Sequence, residues 1–220
     1  TFLAWTPCSA ARCVGRAKRP LPSLNHTWLA WPSRLATKAS RSPSPSTSPR
    51  ARSKPNPEEV LRPEQVEALR SAPALDTVIA VVSDADLETG NATRRGGTST
   101  LTWRFAADSV RDFAFATSDR YLWHVTGADT GYPERRALIQ NVYTPDNAHW
   151  SEATLFAKHA IEFFSDYILP YPYPQATAAM GPPEVSGMEY PMITFITHQA
   201  EGRGLNGVVT HELSHFWMPM

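Results

Sequence analysis

The last residues of the chain include two histidines and a glutamate in a spacing suited to metal chemistry. Residues 211–215 read H-E-L-S-H, so His211 and His215 are four positions apart and Glu212 directly follows the first histidine. In an α-helix, four residues advance the chain by about 400°, which places both imidazoles on one face, about one turn apart. Two nitrogens arranged in this way can bind one tetrahedral Zn²⁺. The spacing therefore predicts a helix that binds one zinc ion per chain.

Glu212 has the position expected of a general base. Because it follows the first ligand, its carboxylate is expected beside the metal, where it can hold a water molecule and accept its proton. Zn²⁺ lowers the pKa of such a water toward about 7 and polarises a scissile carbonyl. The motif thus favours metal-assisted hydrolysis. The alternative is an amphipathic helix with two histidines and a surface glutamate that bind no metal.

The residues between about 75 and 145 have the sequence pattern of a β-rich region. Five short segments, β-branched or alternating between apolar and polar residues, predict an antiparallel sheet or sandwich over roughly 75–145, with turn residues between 84 and 97. These segments are residues 77–82, 101–105, 113–116, 121–125 and 141–144. A short helix or linker at 58–71 is expected to precede them.

After residue 150 the pattern changes to helices. Ser151 is a candidate N-cap of an amphipathic helix. Residues 192–196 read as a strand and 202–207 as a loop, and the helix that carries the histidines is predicted to begin near Asn206 or Gly207.

Charge divides the chain into two segments. Residues 1–57 contain ten Lys/Arg and no acidic residue, whereas residues 58–220 contain eleven Lys/Arg and all 21 Asp/Glu, a net charge of 11 − 21 = −10. The first segment is rich in Pro and Ser, so we expect a disordered or non-native tail there, with a basic tail that binds an acidic surface as the alternative. An α+β multidomain protein is predicted: the tail at 1–57, a β-sandwich-like N-terminal domain at 58–145, and an α/β domain at 146–220.

Two motifs together resemble those of a known enzyme family. Residues 186–195 read S-G-M-E-Y-P-M-I-T-F, and the second motif continues to Trp217. This combination resembles the gluzincin aminopeptidases, the aminopeptidase N-like enzymes, which pair a G-x-M-E-N strand with a downstream H-E-x-x-H-x-W helix. Met188 and Glu189 match the centre of the first motif. The resemblance covers roughly residues 75–220.

The resemblance implies a zinc-dependent aminopeptidase whose thermolysin-like catalytic domain begins within 146–220. His211 and His215 would be zinc ligands and Glu212 the base. Glu189 would bind the α-ammonium of a peptide substrate with a free N-terminus, and Gly187 and Met188 would give backbone contacts to that peptide. No nucleic-acid partner is expected.

The chain also departs from the family pattern. Ser186 stands in place of the first Gly, and Tyr190 in place of Asn. The resemblance implies a third zinc ligand, a Glu at position 234, and a later Tyr, both beyond Met220. We therefore expect the 220-residue chain to be an inactive fragment of an active enzyme.

Two other functions are kept as alternatives. One is a catalytically dead relative that serves as a peptide- or protein-binding module. The other is an endopeptidase of the thermolysin kind, which would not need Glu189. The sequence has no run of 18 or more apolar residues, so no transmembrane segment is predicted.

Overall fold

A computed structural model describes residues 55–94, 101–108, 110 and 113–218, together with the backbone of three short strands nearer the N-terminus. These strands are β1 (Ala4–Thr6), β2 (Arg12–Ala17) and β3 (Thr27–Leu29). The predicted tail at 1–57 otherwise lies almost entirely outside the described residues. β1 and β3 pair with the two sides of β6 (Phe113–Ser118), and β2 pairs with β5 (Trp103–Asp108), all antiparallel.

The main element of the fold is a mixed six-stranded sheet. Its strands are β4 (Ile79–Val82), β7 (Leu122–Asp129), β8 (Arg136–Tyr143), β9 (Gln175–Gly181), β10 (Gly187–Tyr190) and β11 (Ile193–Thr197). Their order is β10-β11-β9-β8-β7-β4. The pairs β8–β9 and β9–β11 are parallel and the other pairs are antiparallel. With the helices described below, this sheet confirms the predicted α+β class.

The sheet continues across the position near Pro145 where the sequence predicts a domain boundary. β8 ends before Pro145, and its parallel partner β9 follows only after α4 (Ala153–Tyr167). Parallel neighbours require such a crossover, usually a helix, to return the chain to the same end of the sheet. A 3₁₀ segment at Pro145–Glu152 leads into α4.

Both faces of the sheet are covered, which explains why side chains are buried on both sides of its central strands β8 and β9. One face packs against α1 (Pro57–Val60), α2 (Pro63–Ser71) and the strands β5 and β6; the other packs against α4 and α5 (Gly202–Ser214). Strand alternation divides the side chains between the two cores: Phe195 of β11 belongs to the first, and its neighbour Ile196 to the second. Among the described helices, none has the length and apolarity needed to cross a membrane.

Two predictions for the region upstream of the metal motif are wrong: a helix N-cap at Ser151 and a turn that begins at residue 84. α4 begins after Glu152, which makes no side-chain cap hydrogen bond, so Ser151 is not the N-cap. The expected turn at 84–97 begins as a short helix, α3 (Asp84–Glu88). Ser83 caps it by accepting a hydrogen bond from the backbone N–H of Asp86, whose carboxylate in turn accepts one from the Ser83 N–H. This reciprocal capping is a recognised helix start.

The predicted start of the last helix is also wrong. α5 begins at Gly202, four or five residues earlier than expected. Leu205, Val209 and Leu213, each four residues apart, are fully buried against the sheet. Burying each such side chain contributes about 1.5–3 kcal/mol, which outweighs the roughly 1 kcal/mol that each interior glycine costs a helix.

Candidate metal centre

The two histidines of the motif converge on one point in space. His211 lies in the last turn of α5 and His215 at its C-cap, with backbone angles that are still helical (φ −62°, ψ −13°). Their Nε2 atoms are 3.4 Å apart, and the rings stand almost perpendicular, at 86°. Two nitrogens that bind one tetrahedral zinc at about 2.0–2.1 Å are separated by about 3.3–3.4 Å. The spacing of the two imidazoles therefore fits a shared zinc ion.

A second element brings a carboxylate to His215, although His211 is not part of the resulting group. β10 is the edge strand of the six-stranded sheet, pairs with β11, and packs against α5. It carries Glu189, whose carboxylate forms a group with Glu212 and His215 in which all ligand atoms lie within 4.8 Å of one another. This group could hold a metal ion. Carboxylate oxygens and imidazole nitrogens are the donor types that zinc accepts in proteins.

Glu212 is the most buried member of this group. Its exposed fraction is 7 %, although both neighbouring histidines are more accessible. Loss of solvation raises the pKa of Glu212; His211 and His215 oppose this shift, and the negative charge of Glu189 adds to it. A raised pKa makes this carboxylate a better proton acceptor than an exposed glutamate.

The burial of Glu212 depends on its contact with β10. The carboxylate lies against Gly187, so closely that a β carbon at position 187 would overlap Oε1 of Glu212. Met188, the next residue, is 43 % exposed, and its side chain is therefore accessible from solvent. The structure thus brings Gly187 and Glu189 to the histidine-bearing helix, with Met188 between them on the same edge strand.

One ring nitrogen of the site lacks a partner. Within the described part of the chain, Nδ1 of His215 is buried and has no hydrogen-bond partner. In zinc sites the nitrogen that does not bind the metal usually donates to a carboxylate or carbonyl, which fixes the ring orientation. Nε2 of His215, which faces His211, is the atom free for a metal.

Trp217 packs just beyond the C-terminal end of α5, the helix that carries the two histidines. Its ring packs against Phe164 of α4 and against Tyr171, and its Nε1 donates to the carbonyl of Leu169 at 2.6 Å. These contacts tie the residues after α5 to the end of α4. They give Trp217 a packing role.

One polar residue near the site, Thr194, is not apparent from the sequence. Thr194 pairs directly with Glu189 across β10 and β11, is fully buried, and its hydroxyl has no hydrogen-bond partner among the described residues. A threonine in a β-branched strand gives no sequence signal of its own. Only the strand register, which sequence alone does not fix, places it opposite Glu189.

A scan against known protein families finds no matching family model, and a search of curated proteins finds no match either. Support for a function therefore comes from the residues of the site and their geometry.

Proposed function

We propose that this chain carries the zinc-binding helix and the substrate-anchoring strand of an aminopeptidase of the gluzincin, aminopeptidase N-like kind. The observation that supports this most is the combination of three features: imidazole nitrogens 3.4 Å apart, the buried carboxylate of Glu212 grouped with His215, and a second carboxylate, Glu189, on an adjacent edge strand. The finer division into a β-sandwich-like N-terminal domain and a thermolysin-like catalytic domain remains a prediction for the full-length protein.

His211 and His215 would hold the zinc ion. When bound, Zn²⁺ would supply Lewis-acid polarisation of the scissile carbonyl and acidify a water molecule. Two nitrogens leave such an ion short of the three protein ligands of a catalytic zinc site. By the family resemblance, the missing ligand is a Glu at position 234.

Glu212 would move the proton of the reaction. Its burial keeps bulk water away from the carboxylate, and its raised pKa favours uptake of a proton from the attacking water. The same proton would then pass to the departing amine. Gly187, against which the carboxylate lies, keeps this base beside the edge strand.

Glu189 would make the enzyme an exopeptidase. Among the described residues, it has no ion pair with a lysine or arginine, which disfavours a purely structural role for Glu189 in a surface salt bridge. A free carboxylate beside the metal site can bind an α-ammonium through charge-assisted hydrogen bonds. Only the first residue of a peptide presents such a cation, so cleavage would be limited to the N-terminal bond.

Three other interpretations explain less of the site. In a protein without metal, the 3.4 Å separation would be a hydrogen bond between two neutral imidazoles, but a buried Glu212 would then have no purpose that offsets its desolvation. A binding module without catalysis would also have no use for this base. A thermolysin-type endopeptidase would use the base but not Glu189.

The proposal is tested with the protein expressed from the complete coding sequence. Aminoacyl reporter substrates with a free or an acetylated amine are assayed before and after chelation, and again after zinc is restored. We expect hydrolysis of the free-amine substrates alone, lost with the chelator and recovered with zinc. Equal rates on acetylated substrates would support an endopeptidase. Zinc binding without hydrolysis would support the catalytically dead relative.

A further inference from the structure

We infer that Thr194 is a positioning residue for Glu189: its buried hydroxyl donates a hydrogen bond that fixes the carboxylate when an α-ammonium binds. The inference deepens the proposed function and rests on it for the nature of the ligand. Two observations support it: the register between β10 and β11, and the hydroxyl of Thr194, which has no hydrogen-bond partner among the described residues.

The register places the two side chains next to each other. Glu189 of β10 and Thr194 of β11 are direct partners in an antiparallel pair. Directly opposed side chains lie on the same face of a sheet, with Cβ atoms about 4.5–5.5 Å apart, within reach of a hydrogen bond between a hydroxyl and a glutamate carboxylate. The residue two positions on, Ile196, packs in the core that contains α5, so Thr194 faces the helix of the metal site.

The hydroxyl of Thr194 has an unmet bonding requirement. The residue is 0 % exposed, and Oγ1 has no partner among the described residues. A buried hydroxyl without a partner is unfavourable, so such a group is retained at a cost. Thr126, equally buried in β7, differs in this respect because its hydroxyl donates to the carbonyl of Leu75 at 3.4 Å.

The carboxylate of Glu189 needs a hydrogen-bond donor that holds it in position. Glu189 is only partly buried on a short edge strand, and it lies near the second carboxylate, Glu212, which repels it. A hydroxyl donor on the inner strand would hold Glu189 beside α5 against this repulsion. An isolated carboxylate on an edge strand would otherwise adopt several rotamers and would lose entropy on binding a ligand.

The test compares Thr194→Val, which keeps the shape and removes the hydroxyl, with Thr194→Ser, which keeps the hydroxyl. The probe is L-leucinol, which has a free α-ammonium and no scissile amide bond, and its binding to the zinc-loaded full-length protein is measured by calorimetry. We expect Thr194→Val to weaken binding by about tenfold or more, the loss typical of one hydrogen bond to a charged group. Thr194→Ser and the distant control Thr126→Val should bind like the wild type.

Thermal unfolding provides the second readout. Thr194→Val should melt at the same temperature as the ligand-free wild type or higher, since it removes an unpaired buried hydroxyl. Weaker binding with undiminished stability distinguishes positioning from a structural role. Unchanged leucinol binding in Thr194→Val, equal losses in Thr194→Val and Thr194→Ser, or a lower melting temperature of Thr194→Val would overturn the inference. A wild type that hydrolyses no aminoacyl substrate but still binds leucinol in a Thr194-dependent way would instead reject the proposed function alone.

Discussion

The Nε2 atoms of His211 and His215 lie 3.4 Å apart at the end of α5, the separation expected of two ligands on one tetrahedral metal ion. Replacing either histidine with alanine should therefore lower zinc affinity by more than the 10–100-fold typical of a lost outer-shell partner. Equilibrium dialysis against buffered zinc measures this. His159→Ala, an exposed histidine on α4, is the matched control and should retain the metal.

Glu212 should matter for the rate and not for metal retention. Glu212→Gln removes the base while conserving shape, so we expect a loss of about 10²–10⁴-fold in kcat with zinc content unchanged. Steady-state kinetics and metal analysis of the full-length variant test this. The exposed Glu184→Gln is the control. Loss of zinc together with activity would show instead that Glu212 is a ligand.

The raised pKa of Glu212 predicts a cost in stability that depends on pH. The pKa of Glu212 in the folded protein lies above the unfolded value of about 4.3. Metal-free wild type therefore loses stability as the pH rises from the unfolded-state pKa through the folded-state pKa. Metal-free Glu212→Gln should thus be the more stable protein at pH 7, and the difference should disappear below about pH 4. Urea unfolding across this pH range measures it. A less stable Glu212→Gln at pH 7 would contradict the assigned burial penalty.

Glu189 should decide whether the free amine of the substrate is recognised. Glu189→Ala in the full-length enzyme is expected to raise KM for free-amine substrates by about tenfold or more, since it removes a charge-assisted contact. Glu184→Ala, which removes an exposed carboxylate just before β10, should have no such effect. An unchanged aminopeptidase rate in Glu189→Ala would point to the endopeptidase alternative.

The packing of α5 should be a precondition of the site. Leu213 is fully buried between the two histidines in sequence, so Leu213→Ala should destabilise the protein by about 2–5 kcal/mol and weaken zinc binding through the loosened helix. Leu155 of α4 is 51 % exposed, and Leu155→Ala should cost much less. Chemical unfolding of both variants gives the comparison.

The part of the candidate site that lies on α5 could be predicted because its residues are close together in sequence. The relation between His211 and His215 follows from helix periodicity alone, and the structure shows their nitrogens on one face. The start of α5 was predicted too late because Gly202, Gly204 and Gly207 resemble a loop. The buried Leu205, which decides the outcome, gains its partners only in the tertiary structure.

The part of the candidate site that lies on the sheet depends on contacts between residues that are distant in sequence. β9 was not predicted, since its run Q-A-T-A-A-M-G has few β-branched residues and becomes a strand by pairing between β8 and β11. Its parallel pairing with β8 also carries the sheet across Pro145. Thr194 was missed for the same reason: its relation to Glu189 exists only through register.

Zinc K-edge X-ray absorption of the full-length protein tests most directly whether His211 and His215 bind zinc. We predict one zinc per chain, with scattering from two imidazoles at about 2.0–2.1 Å that is reduced to one imidazole in His215→Ala. A protein that binds no zinc, or whose zinc spectrum is the same in His215→Ala, would contradict the account.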